Sequence, residues 1–537
     1  MQKRYEASYS GYVYEKPKTH WSSEVDVKSS LRKVDFTQKG EIEAGGVPVI
    51  SDGKTAYVDT SDTHTAVYAI SGMKKSICVF MPTIYCLARA GENMLLTDPK
   101  GELYDRTSGY LESQGYKVIC LDFRSLDKDA LNILEYPARV YRQLDTDKGL
   151  MMLSDIVNTL AEEQRRRAKD PFWPDTGAQW CNATGSLMFD SYPRIEQINI
   201  LNWSDYNNWE SAQLIEKLLP FIPDGNTVKK ALKETVLSAD NTLRSILITA
   251  SSFLSMFNQN NKLARMLSHS TFHLEDLCKK KTALYIVTDD TTTTADSIVG
   301  IIISQIQTFL VENAYNNGGK LDTRFNFIMD EFASFAIPDM DKALATHRSR
   351  GIRYYLCVQT LDGLKQRYEH VEAMLANCGN TLFLGTTERE LLERISTQCG
   401  TTCITPTGAE KLLCSPAELM TLKKAWDYKE ALYLNLPDAI RYCTTLPSIE
   451  AYDMGNYPAP IKKYRHPRIA SYTVERFIND IAKERIEVPF SVDKKRMRKR
   501  KAKENDAKSE KDILDEKLQE ELEQEFEKLF GELDTEE

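Results

Sequence analysis

The chain has 537 residues, of which 42% are hydrophobic and 27% charged. That is enough to bury more than one core, which excludes a small stapled protein and a disordered one. Eleven cysteines are scattered with no CxxC pair, fitting reduced thiols better than a disulfide framework. Cys399 and Cys403 are the closest pair and have no second His or Cys pair at metal-ligand spacing beside them. The net charge of -9 does not point to nucleic acid, although the average hides a basic run near the end.

The opening MQKRYEASYSGYVYEKPK is polar and aromatic, unlike a secretory signal. The most apolar windows, 76–87 and 298–311, are too short or too interrupted by Pro, Arg, Gln and Ser to cross a bilayer. These features predict a soluble, cytoplasmic protein.

Residues 1–45 form an N-terminal segment with few periodic features. GGVPVISDGKTAYVD (45–59) alternates like a small hairpin around Ser51-Asp52-Gly53-Lys54. Short apolar runs follow: HTAVYA (64–69), NMLLTD (93–98), KVICLDF (117–123), ALYIVTD (283–289), FNFIMDE (325–331), YYLCVQ (354–359) and NTLFLGT (380–386). Several are separated by helical patterns, so they predict a mainly parallel α/β sheet covered on both faces. The stretch 154–170, then 208–222 and 228–257, instead place apolar residues at three- and four-residue spacing, which predicts an all-α insertion. The expected organisation is an α/β domain in two parts, 46–145 and 277–492, interrupted by an all-α domain at 146–276. A tail, 493–537, closes the chain. It runs from Lys494-Lys495-Arg496-Met497-Arg498-Lys499-Arg500-Lys501 into acid, with an apolar stripe from Leu514 to Leu533. The tail reads as a solvated helix that neutralises the basic run, or as a helix that docks on a partner.

HTAVYA runs into Ala69-Ile70-Ser71-Gly72-Met73-Lys74-Lys75-Ser76, where a phosphate-binding loop belongs. In GxxxxGK[ST] the backbone N–H groups wrap the phosphates, Lys reaches the β and γ oxygens, and Ser or Thr holds magnesium. Lys75 and Ser76 fit, while Ala69 and Lys74 replace both motif glycines, so the octapeptide alone is also compatible with an ordinary strand-to-helix turn. Phe325 to Glu331 has the form of a Walker B strand: Asp330 would hold the magnesium and Glu331 would orient and deprotonate the attacking water. Gln359, ending YYLCVQ, is placed to sense the γ-phosphate, or else simply caps its strand. Arg348 and Arg350, before the helix stop Gly351, read as candidate arginine fingers or as a solvated helix end.

Longer segments resemble one family, the VirD4/TraG class of type IV secretion coupling proteins, the conjugative DNA-transfer ATPases. PTIYCLARAGENMLLTDPKGELYDRTSGYLESQGYKVICLDF (82–123) is similar to that family from its P-loop helix through its TDPKGE motif. DPFW (170–173), THWSS (19–23) and FIMDEFASFAIPDMDKALATHRSRGIRYYLCVQTLDGLKQRY (327–368) are similar as well. The resemblance implies a RecA-like P-loop NTPase core with an inserted all-α domain, hexameric when active, binding ATP and Mg2+. Gly72, Lys74, Lys75, Ser76 and Asp330 would hold the nucleotide, Ser76 and Asp330 the metal, and Glu331, Gln359 and Arg348 would act in catalysis. Implied partners are relaxase-bound single-stranded DNA, protein substrates and the secretion channel. Family members usually begin with transmembrane helices. This sequence shows none, so membrane contact at the inner face is expected only through partners or a missing N-terminal anchor. The competing expectation is a recruitment platform whose degenerate P-loop does not hydrolyse ATP. A duplex translocase outside secretion shares the core but does not explain DPFW or TDPKGE.

Overall fold

The computed structural model describes residues 19–38, 40–289, 295–403, 410–469 and 471–482. The basic run and the apolar stripe of the tail lie outside them. Three strands, β1 (Arg32–Asp35), β2 (Val47–Ser51) and β3 (Thr55–Asp59), form a small antiparallel sheet in the order β1-β3-β2. β2 and β3 are the hairpin expected around Gly53.

The main sheet is built from β4 (Thr65–Ala69), β5 (Asn93–Asp98), β6 (Lys117–Asp122), β7 (Thr282–Val287), β8 (Phe325–Met329), β9 (Ile352–Val358) and β10 (Asn380–Gly385). After a two-stranded pair, β11 (Thr401–Cys403) with β12 (Glu410–Leu412), it is completed by β13 (Tyr428–Asn435) and β14 (Ile440–Pro447). Among the described residues it has 9 strands in the order β14-β13-β10-β4-β9-β8-β5-β7-β6. Pairings from β10 through β7 are parallel, and β13 and β14 add an antiparallel edge. Every residue of β4, β5, β7, β8, β9 and β10 is buried. That is why these strands read as continuous apolar runs rather than alternating ones.

The chain packs as two compact units. The first comprises 1–120, 275–291 and 309–461 and carries most of the sheet; the second comprises 121–274, 292–308 and 462–537. Helices Thr146–Arg167 and Phe172–Ser191 dominate the second unit, with Trp209–Leu218, Thr227–Val236 and Asp240–Phe253 packed around them. Its core centres on fully buried Trp180, Trp203 and Tyr206. Trp180 donates to Asn207 Oδ1 at 3.0 Å and Trp203 to Thr184 Oγ1 at 3.2 Å, so each indole N–H is satisfied.

The stretch after Lys462, which the sequence patterns grouped with the sheet, folds onto these helices. Tyr472 N–H donates to Asn202 Oδ1 at 3.0 Å and Val474 N–H to Asp205 Oδ2 at 2.9 Å. Phe477 lies 5.2 Å from Tyr192, centroid to centroid. Polar anchors at the start of helix Val474–Ala482 and an apolar stripe behind them fix its position.

Helix Asp296–Asn316 is longer than its apolar run suggested. Its length and composition would allow it to cross a membrane, but 67% of its most apolar window is buried inside the protein. No other helix among the described residues is both long and apolar enough to do so.

Candidate nucleotide site

Because β4, β9 and β8 are parallel neighbours, their C-terminal ends deliver Ala69, Gln359 and Asp330 to the same edge of the sheet. Ligands bind at that edge in open α/β sheets. A cleft of about 310 Å3 opens there, lined by Gly72, Lys75, Ser76, Lys100, Asp330 and Glu331 among others.

Ala69 is the last residue of β4 and lies in extended backbone, so the lost glycine is not needed for a left-handed turn. The other substituted position is different: Lys74 has φ 61° and Gly72 has φ 81°. Lys74 therefore keeps the left-handed backbone that the glycine of the motif provides, a conformation that is costly for a residue with a Cβ. Lys74 lines the cleft with the rest of the loop, and its Nζ donates to the carbonyl of Trp426 at 2.6 Å. Immediately after it, the chain enters a π-turn, Ser76–Phe80, that runs into helix Met81–Arg89. The first N–H groups of such a helix lack intrahelical partners, as anion binding at a helix N-terminus requires, and Lys75, Ser76 and Ile77 at its start line the cleft.

Lys75 Nζ lies 2.7 Å from Asp330 Oδ1 and 3.9 Å from Glu331 Oε1, with its side chain only 11% exposed. Burial by itself lowers the lysine pKa. Cys357, Asp330 and Glu331 outweigh that effect and hold it above its ordinary value, so Lys75 is a firmly charged cation. Asp330 is fixed from its own backbone side: its carbonyl accepts from Thr97 Oγ1 at 2.8 Å and its Oδ1 from Glu331 N–H at 3.0 Å. Glu331 sits at φ 54°, a second strained backbone in the same site. Its Oε1 accepts from Gln359 Nε2 at 3.2 Å.

Lys75, Ser76, Asp330, Glu331 and Gln359 are thus brought together, with Gly72 and Lys74 forming the loop. Arg348 is not. It lies exposed just before β9, at the N-terminal end of the strand whose C-terminal end carries Gln359. Residue patterns alone gave no role to Asp98, Lys100 or Glu102, which line the cleft from the end of β5. The TDPKGE similarity was the signal that could have found them. Asp98 is buried and its Oδ2 accepts from Tyr104 N–H at 2.8 Å, which sets the turn that presents Lys100. The DPFW pair lies in the helical unit, with Phe172 and Trp173 partly exposed and 5.1 Å apart.

Among the described residues no group of three or more His, Cys, Asp or Glu could hold a metal by itself. A divalent cation here would need nucleotide oxygens beside Ser76 and Asp330, the pattern expected of magnesium at a P-loop. The donor set fits: one hydroxyl, one carboxylate and a lysine already balanced against that carboxylate.

No curated protein matches the chain by sequence. The unbound bacterial conjugative coupling protein TrwB superposes with a TM-score of 0.56 at 15% identity, covering 86% of this chain and 98% of that one. TrwB in complex with ADP and Mg2+ gives a TM-score of 0.56 at 16% identity, covering 87% and 100%. TrwB in complex with the non-hydrolysable ATP analogue ADPNP gives 0.56 at 15%, covering 86% and 99%. The likeness establishes the fold, a RecA-like P-loop NTPase core with an all-α domain. The sequence profile described as Type IV secretory system Conjugative DNA transfer matches residues 20–435, and the chain belongs to that family.

Proposed function

We propose that this protein is a coupling ATPase that moves relaxase-bound DNA or protein substrates toward a conjugative channel. The observation that carries the reading is the convergence of Lys75, Asp330, Glu331 and Gln359 at one sheet edge. The ligand reading is supported by the TrwB complexes with ADPNP and with ADP and Mg2+, which share the fold. Bound ATP with Mg2+ supplies the phosphoryl group and the charge neutralisation that its transfer to water requires.

The residues divide that work. Lys75 exchanges its contact with Asp330 for the β and γ oxygens, and the loop N–H groups hold the phosphates from below. Asp330 and Ser76 would hold the cation. Glu331 orients the attacking water and takes its proton, while Gln359 links that carboxylate to the neighbouring strand. Arg348, at the far end of β9, would act only on a neighbouring subunit of a homo-hexamer, and the site is complete on one chain apart from such a finger. The protein would work in the cytoplasm, at the inner face of the cell membrane, held there by channel components. The single-stranded DNA and its relaxase would engage the all-α part.

A second reading, a recruitment platform that does not turn over ATP, is favoured by one feature, the non-glycine Lys74 at φ 61°. Steady-state ATP hydrolysis by the purified chain, alone and with single-stranded or duplex DNA, separates the two. The motor reading expects DNA-stimulated turnover that is lost in both Lys75→Ala and Glu331→Gln. Equal, background-level rates in wild type and both variants would leave only the platform.

A further inference from the structure

Trp426 is 86% exposed, the most solvent-accessible of the described tryptophans. A tryptophan so placed on a mobile surface loop would be unremarkable in chemical terms, but this loop is pinned. Lys424 Nζ donates to Gly72 O at 3.1 Å, and Lys74 Nζ returns a bond to Trp426 O at 2.6 Å. Behind them Lys423 N–H donates to Glu430 Oε2 at 2.7 Å, Ala425 N–H to Tyr428 O at 3.1 Å, and buried Lys429 Nζ to Leu422 O at 3.0 Å. The backbone is therefore fixed to the phosphate loop from both sides while the indole is left in solvent.

Topology says which part of a nucleotide passes there. β9 and β8 lie on one side of β4 and bring the carboxylates; β10 and β13 lie on the other. β13 runs antiparallel to β10, so its first residue, Tyr428, and the loop before it stand at the same edge as the cleft. Phosphates held by Lys75 beside Asp330 and Glu331 point toward β9 and β8. The nucleoside end must then leave over the opposite shoulder of the loop, where Lys424 and Trp426 are.

We propose that Trp426 is the stacking platform for the base of the bound nucleotide, a purine, and that the Lys74 and Lys424 bonds hold this platform in register with the phosphates. The inference rests on the nucleotide reading of the Lys75 cleft. It also gives Lys74 a purpose: the side chain that replaces a glycine hydrogen ties the base-binding loop to the phosphate-binding one. An aromatic face accepts any base by stacking, and the larger purines gain most contact area.

The test is the affinity of the full-length chain for ATP and for tripolyphosphate, each with Mg2+, in wild type, Trp426→Ala and Trp426→Phe. The platform expects ATP to bind wild type more tightly than tripolyphosphate does. Trp426→Ala should weaken ATP roughly tenfold and leave tripolyphosphate unchanged, and Trp426→Phe should restore most of the loss. Tryptophan emission should fall when ADP is added to wild type and respond far less in Trp426→Phe. Undiminished ATP affinity in Trp426→Ala, or equal weakening of ATP and tripolyphosphate, overturns the platform while the nucleotide site stands. Binding of neither ligand by wild type overturns the nucleotide reading and the platform with it.

Discussion

Gln359 Nε2 donates to Glu331 Oε1 at 3.2 Å across two neighbouring parallel strands, β9 and β8. The bond joins the residue expected to sense the γ-phosphate to the one expected to activate water. It is possible because β9 and β8 are neighbours in the sheet order.

Removing that link should act on turnover more than on binding. Gln359→Ala is expected to lower kcat for ATP by roughly 10- to 100-fold while changing nucleotide affinity by less than threefold, since orientation of the base is lost but Lys75 is untouched. Stopped-flow binding beside steady-state hydrolysis reads the two separately. A large loss of affinity with unchanged kcat would assign Gln359 to nucleotide holding instead.

The buried guanidinium of Arg353 is a structural counterpart at the opposite edge of the sheet. It lies 3.1 Å from Glu92 Oε2 and donates to Asn326 Oδ1 at 2.9 Å, to Ser61 O at 2.7 Å and to Gly45 O at 3.0 Å. Arg353→Met leaves Glu92 with a buried charge and weakened compensation, and is expected to destabilise the sheet-bearing unit by about 3–5 kcal/mol. Denaturant unfolding should show this as a lower midpoint. An unchanged midpoint would mean that Arg324, 3.7 Å from Glu92, compensates alone.

Two buried histidines give the fold an acid limit. His64 accepts from Tyr354 N–H at Nδ1, 3.2 Å, and so carries its proton on Nε2, 3.1 Å from Leu344 O. Burial lowers the pKa of both His64 and His347 to about 4. Their unfolded value is near 6.5, so the unfolded chain takes up protons first as pH falls. Stability is complete above about pH 6.5 and is lost from there down to about pH 4, at up to roughly 1.4 kcal/mol per pH unit for each histidine. Thermal melts between pH 7.5 and 4.5 should show this slope, and His64→Gln should reduce it by about half, leaving the share of His347. A His64→Gln profile parallel to wild type would rule the histidine out as a source.

Phe477 should matter to the helical unit although it comes from the far end of the described chain. It is fully buried against Tyr192, and Phe477→Ala is expected to cost about 3–5 kcal/mol. Limited proteolysis should then cut within 121–274 faster than in wild type. Unaltered protection would show that the helices close without it.

Much of the sheet was legible because its strands are buried on both faces, so their apolar runs stand out against polar turns. The hairpin at 45–59 was legible for another reason, its alternation around Ser51 to Lys54. The convergence of residues at the candidate site was readable where chemistry is carried by residue type, at Lys75, Asp330 and Glu331. It was not readable where backbone geometry decides: the sequence could not say that Ala69 is extended while Lys74 keeps φ 61°. Nor could it place Trp426, because only the antiparallel turn-back of β13 brings that loop to the edge where the cleft opens. The docking of 472–482 escaped notice because a short amphipathic helix names its apolar face and not its partner.

That docking has a consequence for how the protein is made. Tyr192 donates its hydroxyl proton to the carbonyl of Tyr472 at 3.2 Å, a partner 280 residues further along the chain. During synthesis the helices around Tyr192 emerge long before the segment that covers them, and they must wait with an apolar face open. Contacts of such separation slow folding and lengthen the time in which exposed surfaces find the wrong neighbour. A ribosome that stalls before residue 472 would release a chain whose sheet is nearly complete and whose helical unit is not, a natural client for chaperones.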